Sequence, residues 1–130
     1  MIGTVESPLG WNRWPKVKAL LAKSIEAAGD STLEDVETAL SDYTVAQLWS
    51  GGDADLVGVT QIYPGQCYIW HLAGDFPKWG GPMFEALEKW ARAEGCKEIE
   101  FTGRRGWLVR LPDWYVRRMN KGSVTMYKVL

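Results

Sequence analysis

Few residues in this 130-residue chain have the types and spacing that catalysis or metal binding requires. His71 is the one histidine in the sequence, so a cluster of histidine ligands is impossible and any histidine-dependent triad would have to use it. The two cysteines, Cys67 and Cys96, are not spaced as a metal knuckle, and both are predicted to be buried free thiols. The sequence therefore predicts no metal centre and no disulfide framework.

The second feature that could do chemistry is a basic segment flanked by glycines. Residues 103–106 are Gly-Arg-Arg-Gly, and two arginines in a loop can clamp a carboxylate or a phosphate through paired hydrogen bonds. Nearby tryptophans offer rings on which a base or an adenine can stack. Alternatively, the rings fill the core while the arginines pair with Glu98, Glu100 or Asp113. Ligand binding and a subunit contact both stay open for this interaction patch, which comprises Arg104, Arg105, Trp107, Arg110 and Trp114.

Charge is distributed unevenly along the chain, although the net charge is only −1. Residues 1–60 are acidic, whereas residues 102–130 carry seven basic side chains and one acidic side chain. Such a basic segment can meet the phosphates of a cofactor or nucleic acid, or an acidic neighbouring subunit. Because the net charge is near zero and no nucleic-acid-reading motif is present, nucleic acid is the least favoured of these partners.

Length and composition predict one self-sufficient domain spanning residues 1–130. Hydrophobic residues make up 46% and charged residues 24%, which excludes a disordered tail, a collagen-like fibre and a disulfide scaffold. No apolar run approaches the roughly 20 residues that cross a bilayer, so no membrane association is expected. The N-terminal residues lack the basic start and apolar stretch of a secretory signal, which predicts a cytosolic location.

Three helices are predicted from apolar residues that recur at helical spacing. The first runs from Trp14 to Ala28. Ser31 is predicted to cap the second helix, because the residues after it complete a capping-box pattern. The third helix is predicted to follow a loop over residues 74–81, with Pro82 in its first turn and Gly95 at its end.

Strands are predicted where β-branched and aromatic residues cluster between turn signals. Three of them form an antiparallel meander, and the strand after the third helix joins the meander through a parallel crossover. Residues 1–10 are expected to be an extended lead-in, and a short helix at 107–111 precedes a final hairpin around residues 120–122. The expected fold class is therefore α/β (α+β), with a mixed, mostly antiparallel central sheet flanked by helices. The predicted strands are Thr44–Ser50, Leu56–Tyr63, Cys67–Ala73, Glu98–Thr102, Trp114–Met119 and Val124–Leu130.

This order of elements resembles the Gcn5-related N-acetyltransferase (GNAT) fold over residues 12–130. More narrowly, three segments are similar to small phage and prophage proteins of GNAT-like type. These segments are Ile-Trp-His-Leu-Ala-Gly at 69–74, the helical residues 85–95, and Gly-Arg-Arg-Gly-Trp-Leu at 103–108.

The resemblance implies a site for acetyl-CoA. GNAT enzymes hold the cofactor pyrophosphate on a loop patterned Arg/Gln-x-x-Gly-x-Gly/Ala before the central helix, where free N–H groups and the helix dipole favour an anion. Residues 77–82 match this loop, with Gly80 at the first glycine, Lys78 as a source of charge, and prolines at both ends of the motif. The implied cofactor-binding residues are Lys78, Trp79, Gly80 and Gly81.

The resemblance also implies a base that accepts the amine proton and a tyrosine that reprotonates the thiolate. The short helix at 107–111 contains no tyrosine, so Tyr115, which follows it, is the candidate proton donor. Glu100, Asp75 and His71 are the candidate bases. Each also has a structural interpretation, since Glu100 alternates with apolar neighbours and would face solvent, Asp75 would cap the loop, and His71 would be a core or surface residue.

Three functions follow from these features. The first is a phage-encoded GNAT-like domain with diverged or lost catalysis, associated with the virion or its assembly and acting through a protein partner or self-association. The alternative is an active acetyl-CoA-dependent N-acetyltransferase that acts on a small-molecule amine. The third is nucleic-acid binding through the basic C-terminal patch. The expected location is the cytoplasm of a bacterial host, or the virion.

Overall fold

The computed structural model describes residues 2–130, and its strands form one sheet with helices on both faces. The strands are β1 Ile2–Val5, β2 Gln47–Gly51, β3 Leu56–Tyr63, β4 Gln66–Gly74, β5 Glu98–Arg104, β6 Tyr115–Asn120 and β7 Ser123–Val129. Their order across the sheet is β1-β2-β3-β4-β5-β7-β6, and every neighbouring pair is antiparallel except β4 and β5, which run parallel. The predicted mixed, mostly antiparallel sheet is therefore confirmed, including its one parallel pair.

The helices cover the two faces of the sheet unequally. They are α1 Trp14–Ala28, α2 Leu33–Leu40, α3 Phe76–Ala93 and the four-residue α4 Trp107–Arg110, with a 3-10 turn at Pro8–Gly10. α1 packs mainly against β4 and also against β3 on one face, with α2 beside α1, and Val17, Leu21 and Val36 are fully buried there. α3 packs on the opposite face, where Met83 is fully buried over Gly51 of β2 and Gly58 of β3, and Ile99 of β5 is fully buried in the same cluster. Each apolar stripe thus removes its side chains from water against one face of the sheet.

Helix α1 begins and ends as predicted. Pro15 occupies its first turn, where a missing N–H leaves no hydrogen bond unmade. Gly29 ends the helix in the left-handed region at φ 71°, and its N–H donates to the carbonyl of Ile25 at 3.0 Å.

The predicted cap of α2 is displaced by one residue. Thr32, not Ser31, is the N-cap: its hydroxyl accepts the N–H of Asp35 at 3.1 Å, and the Asp35 carboxylate accepts the N–H of Thr32 at 2.9 Å. The capping box therefore uses the Thr32–Asp35 pair. Ser31 is left free to turn its hydroxyl toward β4 instead.

The start of α3 is the largest departure from the sequence prediction. The loop expected over residues 74–81 is wrong, because α3 begins at Phe76 and contains Pro82 in its interior. Asp75 is the N-cap and Pro77 lies in the first turn. The helix therefore begins at Phe76, six residues before Pro82, which was predicted to lie in its first turn. Burial of the helix against the sheet outweighs the cost of two glycines and one internal proline.

Two strand predictions need correction at the N-terminal side of the chain. Ile2–Val5 was expected to be part of an extended lead-in, but it is strand β1 and pairs antiparallel with β2. Met1 lies outside the described residues. Strand β2 begins at Gln47 rather than Thr44, because Thr44 closes a turn in which its N–H donates to the Asp42 carboxylate at 2.9 Å.

Candidate active site

Strands β4 and β5 separate part-way along their length. They pair in parallel only from Gln66 with Glu98 to Ile69 with Phe101. The register between β3 and β4 shifts at the next residue, and Trp70 has no paired residue on either neighbouring strand. A bulge of this kind bends its strand and re-aims side chains, and bulges are frequent beside active sites. The ends of the two strands thereby open a gap in the middle of the sheet.

A cavity of about 690 Å³ lies in this gap, on the face covered by α1. Small-molecule sites typically measure roughly 300–1,000 Å³, so the cavity has the size of a ligand site. Its walls come from the second half of α1, the ends of β4 and β5, and the β6–β7 turn. The polar and aromatic residues that line it include Lys23, Ser24, Asp30, Tyr68, Trp70, His71, Thr102, Arg104 and Trp107.

His71 is buried in the cavity wall between two serine hydroxyls. Ser24 Oγ on α1 lies 3.1 Å from Nδ1, and Ser31 Oγ lies 3.4 Å from Nε2. Burial lowers the pKa of His71 below its ordinary 6.5, and the nearby charge of Asp30 opposes this shift. The imidazole is therefore neutral at pH 7, with one nitrogen able to accept a proton.

Tyr68 is a cavity residue that sequence reasoning missed. It precedes the bulge on β4, and burial raises the pKa of its phenol above the ordinary 10. The phenol is therefore protonated at neutral pH and can donate a proton into the cavity. Tyr68 and Trp70 alternate on β4, which was the available signal that they share a face.

Three charged residues stand on the cavity walls. Lys23 and Asp30 come from α1 and the turn after it, whereas Arg104 ends β5 on the other side. Sequence reasoning placed Arg104 in the basic patch but overlooked Lys23 and Ser24. On α1, Lys23 is exposed and Ser24 is half-buried. Nothing in the sequence indicates that the fold brings these two residues to β4.

The residues predicted to cradle a pyrophosphate lie inside α3 rather than before it. Lys78 N–H donates to the Asp75 carboxylate at 3.2 Å, and Trp79 N–H donates to the Asp75 carbonyl at 3.1 Å. Pro77 has no N–H to offer. The first turn of α3 is thus capped by the chain's own carboxylate, and its N–H groups do not form the expected anion cradle.

Gly80 serves packing at this position. A Cβ built on it would lie 2.5 Å from the ring of Phe76, so only glycine admits this ring. Trp79 packs over the β2–β3 turn at Gly51 and Gly52, and its indole N–H is buried without a partner among residues 2–130. Gly81 is exposed, and a Cβ added to it would meet no neighbouring element within 4 Å.

Aromatic rings close the seam between α3 and α4. Phe76 meets Trp107 edge-on at 4.8 Å and Phe84 at 5.5 Å, and Trp107 also meets Phe101 at 5.1 Å. Trp114 is buried beside Phe84, at 5.6 Å between ring centroids. Trp114 therefore fills the core, as the structural interpretation expected, whereas Trp107 is half-buried between the core and the cavity.

The arginines of that patch do not pair with the acidic residues suggested by the sequence. Arg105 donates to the carbonyl of Asn120 at 2.8 Å, and Arg110 lies over the rings of Trp107 and Phe76 at 5.1 and 6.0 Å. Arg117 is the partner of the two strand carboxylates instead, 2.5 Å from both Glu98 and Glu100.

The other candidate catalytic residues lie outside the cavity wall. Glu100 is half-buried rather than facing solvent, and its carboxylate is held by Arg117. Tyr115 is 63% exposed on β6 and stacks on Tyr127 at 5.7 Å. Asp75 has a capping role, but it caps helix α3 and not the predicted loop. Of the four predicted acid–base residues, the structure brings only His71 to the cavity.

The cysteines have no catalytic character. Both are free and buried, as predicted, and burial raises the pKa of Cys67 to about 12. Within residues 2–130, no group of three metal-binding side chains comes together. None of the helices in that range is long and apolar enough to cross a membrane.

The residues around the cavity and the start of α3 can be compared with what coenzyme A, the cofactor implied by the resemblance, requires. The gap between β4 and β5 has room for an acyl-bearing arm. At α3 the backbone cradle is missing, but Lys78 and Arg110 flank its first turn, and neither forms an ion pair with any described residue. These two side chains are the groups that would hold the diphosphate, through charge rather than backbone N–H groups.

Comparison with solved structures agrees with this architecture. The chain matches PaiA N-acetyltransferase from Thermoplasma acidophilum in complex with coenzyme A, with 14% identity, a TM-score of 0.65, and coverage of 100% of this chain and 99% of that one. It matches IAA acetyltransferase from Bacillus cereus with 13% identity, a TM-score of 0.64, and coverage of 100% and 99%. A GNAT-family acetyltransferase from Listeria monocytogenes gives 11% identity, a TM-score of 0.65, and coverage of 100% and 94%.

The chain has the GNAT fold. At these identities the likeness establishes the fold and leaves the activity open. No protein-family profile matches the sequence, and no curated protein does. None of the three acetyltransferases is described as a phage protein, so the phage origin stays a prediction from resemblance.

Proposed function

We propose that the protein is an acetyl-CoA-dependent N-acetyltransferase that acts on a small-molecule amine. The observation that carries this proposal is the cavity between the separated ends of β4 and β5, with a neutral histidine in its wall. Acetyltransferases share the fold, and one of them is described in complex with coenzyme A. A cavity of this size that contains convergent polar groups is the usual form of an enzyme site.

His71 would accept the proton that the amine loses as it attacks, through the hydroxyl of Ser24, which lines the cavity, contacts Nδ1 and would pass its own proton to the ring as it takes one from the amine. When bound, acetyl-CoA would supply a thioester carbonyl as the electrophile. The imidazole is neutral at pH 7 because burial lowers its pKa, and the hydroxyls of Ser24 and Ser31 fix the orientation of the ring. An oriented base of this kind typically accelerates proton transfer about 10²–10⁴-fold.

Tyr68 would donate the proton that the departing thiolate needs. Its phenol lines the same cavity and is kept protonated by a raised pKa. It takes the role that the resemblance gave to Tyr115, whose exposed ring lies on β6. One proton thus leaves the amine for His71, and another passes from Tyr68 to sulfur.

Two measurements on the full chain test the proposal. Acetyl-CoA at a hundredfold its Kd should stabilise the protein by about 2.7 kcal/mol, which raises Tm by roughly 10 °C. Release of free thiol from acetyl-CoA should depend on the presence of a primary amine. A thiol reagent can follow this release because Cys67 and Cys96 are buried. If millimolar acetyl-CoA neither shifts Tm nor releases thiol with any amine, the proposal is wrong.

A GNAT-fold protein with lost catalysis is the second candidate, and one observation favours it. The first turn of α3 is capped by the carboxylate of Asp75, which repels a phosphate at the place where the fold normally binds one. In this case the protein would act through a protein partner or self-association, and acetyl-CoA would leave its Tm unchanged. The suggested virion role belongs to this candidate.

A further inference from the structure

The cavity walls carry two cations that have no acidic partner. Lys23 on α1 and Arg104 at the end of β5 line the cavity from opposite sides. Neither forms an ion pair with any residue in 2–130, and what sets them apart from the other unpaired cations is their place in the cavity lining. Two unpaired cations facing one cavity create a positive potential that draws an anionic group into it.

The remaining charged residue of the cavity suits the other end of a ligand. Asp30 lies close enough to His71 and Tyr68 to influence the pKa of both. A carboxylate in this position attracts an ammonium group toward the imidazole that would later accept its proton. The cavity therefore has an acidic region beside His71 and two cations on its walls, with the ring of Trp70 also in its lining.

We infer that the acceptor is a primary amine that also carries an anionic group, in the manner of an amino acid or an aminoalkyl phosphate. Asp30 attracts the ammonium toward His71, while Lys23 and Arg104 bind the carboxylate or phosphate, Arg104 through its paired N–H donors. The inference rests on the proposed function, because it names the substrate class of the same cavity. It gives a role to Lys23 and Arg104, which are not needed to bind the acyl donor at α3.

The test is calorimetric titration of matched amine pairs into the full chain, without an acyl donor. Phenylalanine should bind about tenfold more tightly than phenethylamine, which lacks the carboxylate. O-phosphoethanolamine against ethanolamine distinguishes a phosphate from a carboxylate as the anion. The Arg104→Gln and Lys23→Ala variants should each reduce the preference for the anionic member to less than about threefold. Lys18→Ala, an exposed lysine of the same helix outside the cavity, should keep the wild-type preference.

Different outcomes separate this inference from the proposed function. Equal binding of both members of each pair, no binding of either at millimolar concentration, or a preference that survives both variants would overturn the inference. Thiol release with charged and uncharged amines alike would overturn it while leaving the acetyltransferase intact. A preference for the anionic member that Arg104→Gln removes, with no thiol release from any amine, would show that the cavity binds such amines but would refute both the acetyltransferase and the assignment of the amine as its acceptor. Circular dichroism of each variant shows that the fold is kept.

Discussion

The cavity wall and the first turn of α3 are neighbouring regions that differ in how far their polar groups are already satisfied. At α3, the N–H groups of Lys78 and Trp79 both donate to Asp75. In the cavity, Lys23 and Arg104 have no ion-pair partner within the described residues. A group that is bonded within the chain must lose that bond before it can bind a ligand, so at α3 the unpaired side chains of Lys78 and Arg110, and not the backbone cradle that the resemblance implies, are available to an anion.

The largest expected effect comes from the base in the cavity. His71→Gln should lower kcat for acetyl transfer about 100-fold, because glutamine can keep a hydrogen bond to a serine but cannot accept the proton. In the wild type, kcat should fall as the pH drops through a pKa below 6.5, and this inflection should be absent from the variant. Steady-state kinetics between pH 5 and 8 measures both.

An unchanged kcat in His71→Gln would move the base elsewhere, and Glu100 would be the next residue to replace. The Tm of the variant, with and without acetyl-CoA, separates loss of the base from loss of folding. If His71→Gln keeps the rise in Tm with acetyl-CoA but loses turnover, the cavity wall supplies the base and cofactor binding does not depend on it.

The second effect compares two tyrosines. Tyr68→Phe should lower kcat about tenfold, because the thiolate would then depart without a proton donor in the cavity. Tyr115→Phe should change kcat much less, because Tyr115 is exposed and stacked on Tyr127. The reverse order of effects would restore Tyr115 as the proton donor. Parallel kinetic assays of both variants at saturating acetyl-CoA decide between them.

A smaller effect is expected at the start of α3. Asp75→Asn removes a negative charge from the helix N-terminus but keeps a side-chain oxygen that can cap it, so the fold should be retained. If the diphosphate binds beside Lys78 and Arg110, the Kd for acetyl-CoA should fall about threefold. Asp42→Asn is the matched control, since Asp42 also accepts a backbone N–H but lies in the α2–β2 connection. An unchanged Kd in Asp75→Asn would mean that the diphosphate does not approach α3.

The smallest effect concerns stability against pH. The pKa of folded His71 lies below its ordinary 6.5, so the folded state binds the proton less readily than the unfolded state. The stability that neutral His71 contributes is complete above pH 6.5 and is lost as the pH falls toward the lowered pKa. Urea unfolding at pH 7.5, 6.5 and 5.5 should show this decline in the wild type and a flatter profile in His71→Gln.

The loss of stability caused by His71 should occur at a higher pH than the loss caused by the carboxylates. Hydrogen bonding from Arg117 lowers the pKa of Glu98 below its ordinary 4.5, so its contribution is lost only at lower pH. Equal slopes for wild type and His71→Gln between pH 7.5 and 5.5 would contradict the predicted burial of a neutral imidazole.

Local patterns were enough to predict most of the sheet. Strand β3 is predicted at its observed bounds, Leu56–Tyr63, because turn residues enclose a run of β-branched side chains. The parallel pairing of β4 and β5 follows from the crossover that α3 makes between them. The start of α3 could not be predicted in the same way, because Gly80, Gly81 and Pro82 are unfavourable in a helix and only tertiary packing makes them part of one.

The candidate site was predictable only in fragments. His71 stands out as the one histidine, and Arg104 as part of a glycine-flanked pair. Lys23 and Tyr68 lie 45 residues apart on a helix and a strand whose facing sides the sequence does not specify. The bulge at Trp70 depends on strand register, which no local pattern reveals, and it decides where the cavity opens.

The position of β7 has a consequence for how the chain is made. β7 follows β6 in sequence, yet in the sheet it lies between β5 and β6. During synthesis, the residues of β6 therefore leave the ribosome before the strand that attaches them to the sheet. Val116 and Met119 remain 47% and 49% exposed even in the complete fold, and Arg117 and Arg118 lie between them, so the strand carries two charges before β7 pairs with it. Charged side chains on an unpaired strand oppose its pairing with another chain, so β6 has its own protection until β7 is made.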